Sequence, residues 1–179
     1  MPEEPEVPTE HLHESLEEHA RESREAWISK VALSAAILAV LAAIASMLAG
    51  HHANEALIVQ LKASDQWGYY QSKGIKAGVL NSKVDLFNAL GKAPNAEDGK
   101  KLEEYKQEQV EIKEKAEDLE KEATAHLRVH NTQSRAVTCF QIGIALSAIS
   151  VLTRKKILWF GSVLLGLAGA GFLITSFMA

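Results

Sequence analysis

The chain has 179 residues, 47% of them hydrophobic, and a formal net charge of −4. A slightly acidic balance without a basic patch argues against nucleic acid as a partner, and a single cysteine, Cys139, excludes an intrachain disulfide. The averages would suit a soluble domain, but the apolar residues gather in three uncharged runs, Val31–Gly50, Ala136–Thr153 and Ile157–Ala179.

Residues 1–30 read as an acidic tail followed by a short amphipathic helix. Met1–Pro8 holds three of the four prolines with Glu3, Glu4 and Glu6, a composition that favours disorder. Thr9 can cap the helix that follows, in which Leu12, Leu16, Ala20 and Trp27 recur at helical spacing. A cleaved signal peptide opens with a basic stretch; this chain opens with glutamates, so the run that follows reads as an uncleaved anchor. Trp27 and Lys30 suit a bilayer interface.

Residues 31–50 form the first predicted transmembrane helix. An α-helix needs about 20 apolar residues to cross ~30 Å of hydrocarbon. A soluble chain lacks the amphipathic partners to wrap three such helices. Small residues let helices approach closely in lipid, and Ala35, Ala39 and Ala43 form one small-residue stripe.

Residues 51–135 read as a long extramembrane antiparallel coiled-coil hairpin with its turn at 91–99, where Gly91, Pro94, Asn95 and Gly99 break helix. On the first arm Leu57, Leu61, Ser64, Gly68, Gln71, Ile75, Gly78, Ser82, Leu86 and Ala89 recur every three or four residues. On the second, Leu102, Tyr105, Gln109, Ile112, Ala116, Leu119, Ala123, His126 and His130 do the same. Both are the spacing of a coiled-coil seam. The Glu/Lys alternation of Lys100–Lys121 is a solvated face.

Residues 136–153 form the second span, with Gly143 and Ser147 as its packing stripe and Cys139 as a small apolar side chain. Residues 157–179 form the third, with Ser162, Gly166 and Ala170. Arg154, Lys155 and Lys156 make the short turn between them. With Arg21, Arg24 and Lys30 they outnumber the basic residues near the hairpin base, Lys62, Lys121, Arg128 and Arg135. This places the N-terminus in the cytoplasm and the hairpin in the periplasm.

The most unusual polar stretch is Asp65–Lys76. Asp65, Tyr69 and Lys73 share one helix face, and Gly68, Gly74 and Gly78 each cost a helix roughly 1 kcal/mol relative to alanine. Two readings stand. The aromatic residues pack the hairpin on itself, or Asp65, Gln66, Trp67, Tyr70, Gln71 and Lys73 form a docking surface. His51, His52, His126 and His130 would meet near the hairpin base if the arms pair. They read as polar anchors at the membrane interface, and no metal or cofactor is assigned; metal binding and pH sensing are the alternatives.

Four stretches carry a resemblance: Pro8–Glu14, Gly50–Ala56, Ala63–Lys76 and Ile144–Thr153. Together they resemble an uncharacterised bacterial membrane-protein family, catalogued as domain of unknown function four-three-three-seven. The resemblance implies a multi-pass membrane protein with a coiled coil, and supplies no reaction or ligand.

The expected fold is therefore all-α: an integral membrane protein with three transmembrane helices and the projecting hairpin, in the bacterial inner membrane. No nucleophile–base pair, phosphate loop or paired carboxylate site can be assembled, so no enzyme is expected. The expected function is an oligomeric scaffold or envelope interaction module, in contact with lipid, further copies of itself and an envelope protein. The alternative is an oligomeric channel. Against a carrier, the spans contain no ionisable side chain apart from the cysteine, and Gln141 is their one large polar residue.

Overall fold

A computed structural model describes the backbone of residues 9–178 and the side chains of residues 26–178. The expected disorder of Met1–Pro8 and the amphipathic face of Leu12, Leu16 and Ala20 lie outside these described residues. The described backbone forms three helices: α1 (Thr9–Ala89), α2 (Ala96–Thr153) and α3 (Lys156–Ser176). Each contains a stretch long and apolar enough to cross a membrane by length and composition.

The expected segment boundaries at residues 30, 50 and 135 are not breaks. α1 runs unbroken for 81 residues and α2 for 58. Change of composition alone does not end a helix; a capping or breaking residue does. Gly91 supplies one after α1. Its φ of +66° suits the left-handed position that closes a helix. Gly91 N–H bonds to Asn88 O at 3.1 Å and Lys92 N–H to Phe87 O at 2.9 Å, the paired bonds of a Schellman end. Asn95 then opens α2, its Oδ1 accepting from Glu97 N–H at 3.1 Å, a side-chain cap on one orphan donor. The turn is thus shorter than the expected 91–99, and Gly99 lies inside α2. Between α2 and α3 the left-handed position falls on Arg154, at φ +56°.

Two compact units divide the chain. The first comprises the described residues up to Met47 together with those from Thr132 onward. Its core is Leu38, Ala42, Ala45, Ala136 and Phe140, with Leu41, Val137, Ile144, Ala170 and Leu173 packed against them. Leu38 lies where Gly143 and Gly166 leave space: a Cβ on either would meet its methyls at 3.1 and 2.7 Å. Phe140 uses Gly169 in the same way, at 2.7 Å. Ser147 and Ser162 share a hydrogen bond at 2.7 Å, and Trp159 Nε1 donates to Ser34 Oγ at 3.1 Å. Gly143, Ser147, Ser162 and Gly166 are buried and Ala170 half-buried, whereas Ala35 is half-buried and Ala39 and Ala43 face outward. On α1 the contact belongs to Val31, Leu38, Ala42 and Ala45.

The second unit is Leu48–Asn131, in which the later part of α1 and the earlier part of α2 lie antiparallel. Position 52 meets 126, 67 meets 120, 73 meets 108 and 83 meets 98. On α2 all nine expected seam residues are buried or half-buried. On α1 the expected seam is turned away: Leu57 is 61% exposed, Leu61 59%, Ile75 68% and Leu86 58%. The contacting row is Ala56, Val59, Ala63, Gln66, Tyr70, Lys73, Ala77, Leu80, Val84 and Phe87, which alternates three and four equally well. One residue on a helix is a rotation of about 100°. This row combines three alanines, which let the helices approach closely, with the larger Val59, Tyr70, Leu80 and Phe87.

Candidate functional site

The polar side chains of the second unit collect in two layers. The first lies midway along the arms. Trp67 Nε1 donates to Glu120 Oε1 at 2.9 Å, and the Trp67 and Tyr70 rings meet edge to face at 5.6 Å. Gln109 Nε2 donates to the Tyr70 carbonyl at 3.3 Å. Gly74 makes that bond possible, since a Cβ there would lie 2.8 Å from Gln109 Nε2. Lys73 is ion-paired to Glu108, and its ammonium lies 4.9 Å from the Tyr105 ring centre and 5.4 Å from that of Tyr69. The hydrogen bond to Glu108 holds this ammonium above the usual lysine range, against the opposing effect of burial. Nearer the turn, Lys83 pairs with Asp98 at 2.8 Å.

The candidate docking residues therefore separate. Trp67, Tyr70 and Lys73 turn toward α2, Gln66 is half-buried, and Asp65 and Gln71 are exposed. The partners Glu108 and Glu120 were not legible in the sequence. They sit beside the α2 seam among several other glutamates, and only the Trp67 and Lys73 contacts single them out.

The second layer is the histidine group. His52 Nδ1 and His126 Nδ1 are 3.1 Å apart. One must be protonated at Nδ1 and the other not for this to be a hydrogen bond. His51 packs edge-on against His52 at 5.4 Å. His130 Nδ1–H donates to the Ala49 carbonyl at 2.8 Å. Burial, then the neighbouring His126 and His51, lower the His52 pKa below its ordinary value; Glu55 opposes this and His130 adds slightly to it. Among the described residues no group of three or more His, Cys, Asp or Glu is placed to hold a metal ion.

A third feature is the outward row of α1. From Leu57 to Leu86 its positions Leu57, Leu61, Ser64, Gly68, Gln71, Ile75, Gly78, Ser82 and Leu86 carry no charge and are all exposed. A Cβ on Gly68 or Gly78 would meet nothing within 4 Å. Unlike Gly74, neither glycine has a steric reason among the described residues.

The model of a family described as "Domain of unknown function (DUF4337)" matches residues 27–179. No curated protein and no solved structure matches the chain.

Proposed function

The chain belongs to the DUF4337 family, and on that footing we propose that it is a non-enzymatic scaffold of the bacterial inner membrane. Its three apolar stretches cross the bilayer. The arms form a coiled-coil hairpin that joins copies of the protein and offers a surface to an envelope partner. The exposed basic turn Arg154–Lys156 supports a cytoplasmic N-terminus with the hairpin on the other side.

The observation that carries this reading is the outward row of α1. It is a second seam at coiled-coil spacing, free of charge, beside the seam already used by α2. Gly68 and Gly78 each cost this helix about 1 kcal/mol relative to alanine, with nothing gained inside the chain. A second α1 packed closely on that row would recover the cost. The outward Ala39 and Ala43 supply a matching small-residue surface within the first span.

The test is the mass of the detergent-extracted protein. The wild type is expected to be an oligomer, and Gly68→Trp or Gly78→Trp to dissociate it with helicity retained. A monomeric wild type overturns the reading. The channel alternative draws on one observation: Gln141 lies on the exposed surface of α2 among apolar neighbours, where an oligomer could turn it toward a pore. Reproducible single-channel currents in planar bilayers, abolished by Gln141→Leu, would favour it over the scaffold.

A further inference from the structure

The histidine layer brings ring nitrogens of the two arms together. Two imidazoles from different helices aim the same atom at each other, His52 Nδ1 and His126 Nδ1, at 3.1 Å. Two nitrogens bound to one tetrahedral ion at 2.0–2.1 Å stand about 3.3–3.4 Å apart. The pair is therefore within a few tenths of an ångström of a coordination edge. The ring planes are tilted by 33°, so neither ring stacks flat on the other; with both ring protons on Nε2, two Nδ1 lone pairs would be offered to the ion.

The surroundings fit the same chemistry. Ligation needs neutral imidazole, and both rings are half-buried between the arms. The His130 Nδ1–H bond to the Ala49 carbonyl fixes a tautomer whose Nε2 carries a lone pair, the arrangement typical of metal-binding histidines. Glu55, electrostatically coupled to His52, is a nearby oxygen donor. No third ligand is already in place among the described residues. The remaining positions would go to water, or to His130 or Glu55 after a rotamer change.

We infer that His52 and His126 form a two-imidazole clamp for a borderline divalent transition ion of the Zn²⁺, Ni²⁺ or Cu²⁺ class. The donor set is nitrogen, which these ions accept and Mg²⁺ or Ca²⁺ do not favour. Because one ligand comes from each arm, the ion ties α1 to α2 close to the end of the first apolar run. Binding to the folded pair alone stabilises that pair by mass action.

The test uses the full chain, without a histidine tag, in detergent. It is carried in a His11→Ala/His13→Ala background so that the N-terminal imidazoles do not contribute. Titration with Ni²⁺ and with Zn²⁺, followed calorimetrically, is expected to show one ion per chain. His52→Ala and His126→Ala are each expected to weaken binding at least ten-fold, while Mg²⁺ gives no heat. Should either variant fail to fold, Cu²⁺ bound to the parent protein is read by electron paramagnetic resonance, with splitting from two imidazole nitrogens expected. No ion taken up, binding unchanged in both variants, one ion per two chains, or fewer than two nitrogens on copper would each overturn the inference.

Discussion

The two units of this chain are built from the same helices around apolar cores, but they differ in the polar groups they bury and in what covers them. In the first, Ser147, Ser150, Ser162 and Gln133 are fully buried, while Leu33, Val40, Met47, Leu164 and Leu167 are exposed. In the second, Ala56, Val59, Ala63, Ile112, Ala116 and Ala123 are buried, and much of the outside is Glu and Lys. Hydroxyls inside a shell of leucine are what a hydrocarbon solvent selects. Lipid gives large apolar groups no reason to hide, and polar groups gain by meeting one another. Alanines inside a charged shell are what water selects. On the membrane-spanning reading proposed above, the contrast teaches that the solvent, more than the helix, decides which residues form the contact.

The sharpest way to break this contrast is in the first unit. Phe140→Ala should remove about 3 kcal/mol, the range for emptying a packed aromatic site, read as a loss of thermal stability in detergent. Gly169→Leu attacks the same contact from the other side. Its Cβ would meet the Phe140 ring at 2.7 Å, and overpacking should cost about 2 kcal/mol. A loss well below that figure would show that the ring can move aside.

In the second unit the same substitution type should change sign. Gly68→Ala and Gly78→Ala have open space and should each strengthen the isolated helix by about 1 kcal/mol. Thermal unfolding of monomer and oligomer, compared side by side, separates the helix gain from any loss between copies. Gly74→Ala should gain less, because it displaces Gln109 from the Tyr70 carbonyl.

The arms should also respond to pH in two directions. His52 has a lowered pKa when folded. Its contribution is therefore complete above the unfolded value of about 6.5 and is lost as pH falls through the lowered one. Lower amide protection around residues 49–56, after correction for the intrinsic pH dependence of exchange, is expected as pH falls below about 6.5, and His52→Gln should flatten that dependence. Lys73 has a raised pKa, so its contribution holds below about pH 10.4 and is lost above the raised value. The smallest effect belongs to the turn. Arg154→Gly relieves a left-handed residue and should add less than about 1 kcal/mol, visible as a small rise in Tm.

How much of this was legible before the structure depended on how each segment signals its contacts. The α2 arm seam could be read because its large residues, Leu102, Tyr105, Ile112 and Leu119, are the ones that pack. The α1 arm misled because its large residues divide between two rows: Leu57, Leu61, Ile75 and Leu86 face outward, whereas Val59, Tyr70, Leu80 and Phe87 pack. Both rows of α1 alternate three and four, so periodicity could not choose between them. Gln66, Trp67, Tyr70 and Lys73 could be singled out by type, but not the glutamates and glutamine that answer them. The four histidines could be grouped only on the condition that the arms paired.

The sequence by itself determined that the described residues are helical, that three stretches are apolar enough for a membrane, and that a helix breaks around Gly91–Asn95. Those properties follow from local composition, from uncharged runs and from glycine, proline and asparagine in the turn. Tertiary structure alone decided which face of α1 meets α2, that Ala42 rather than Ala43 enters the core, and that His52 and His126 aim matching nitrogens at each other. Each of these is set by complementarity across a gap of a few ångströms, and a single sequence records only one side of that gap at a time.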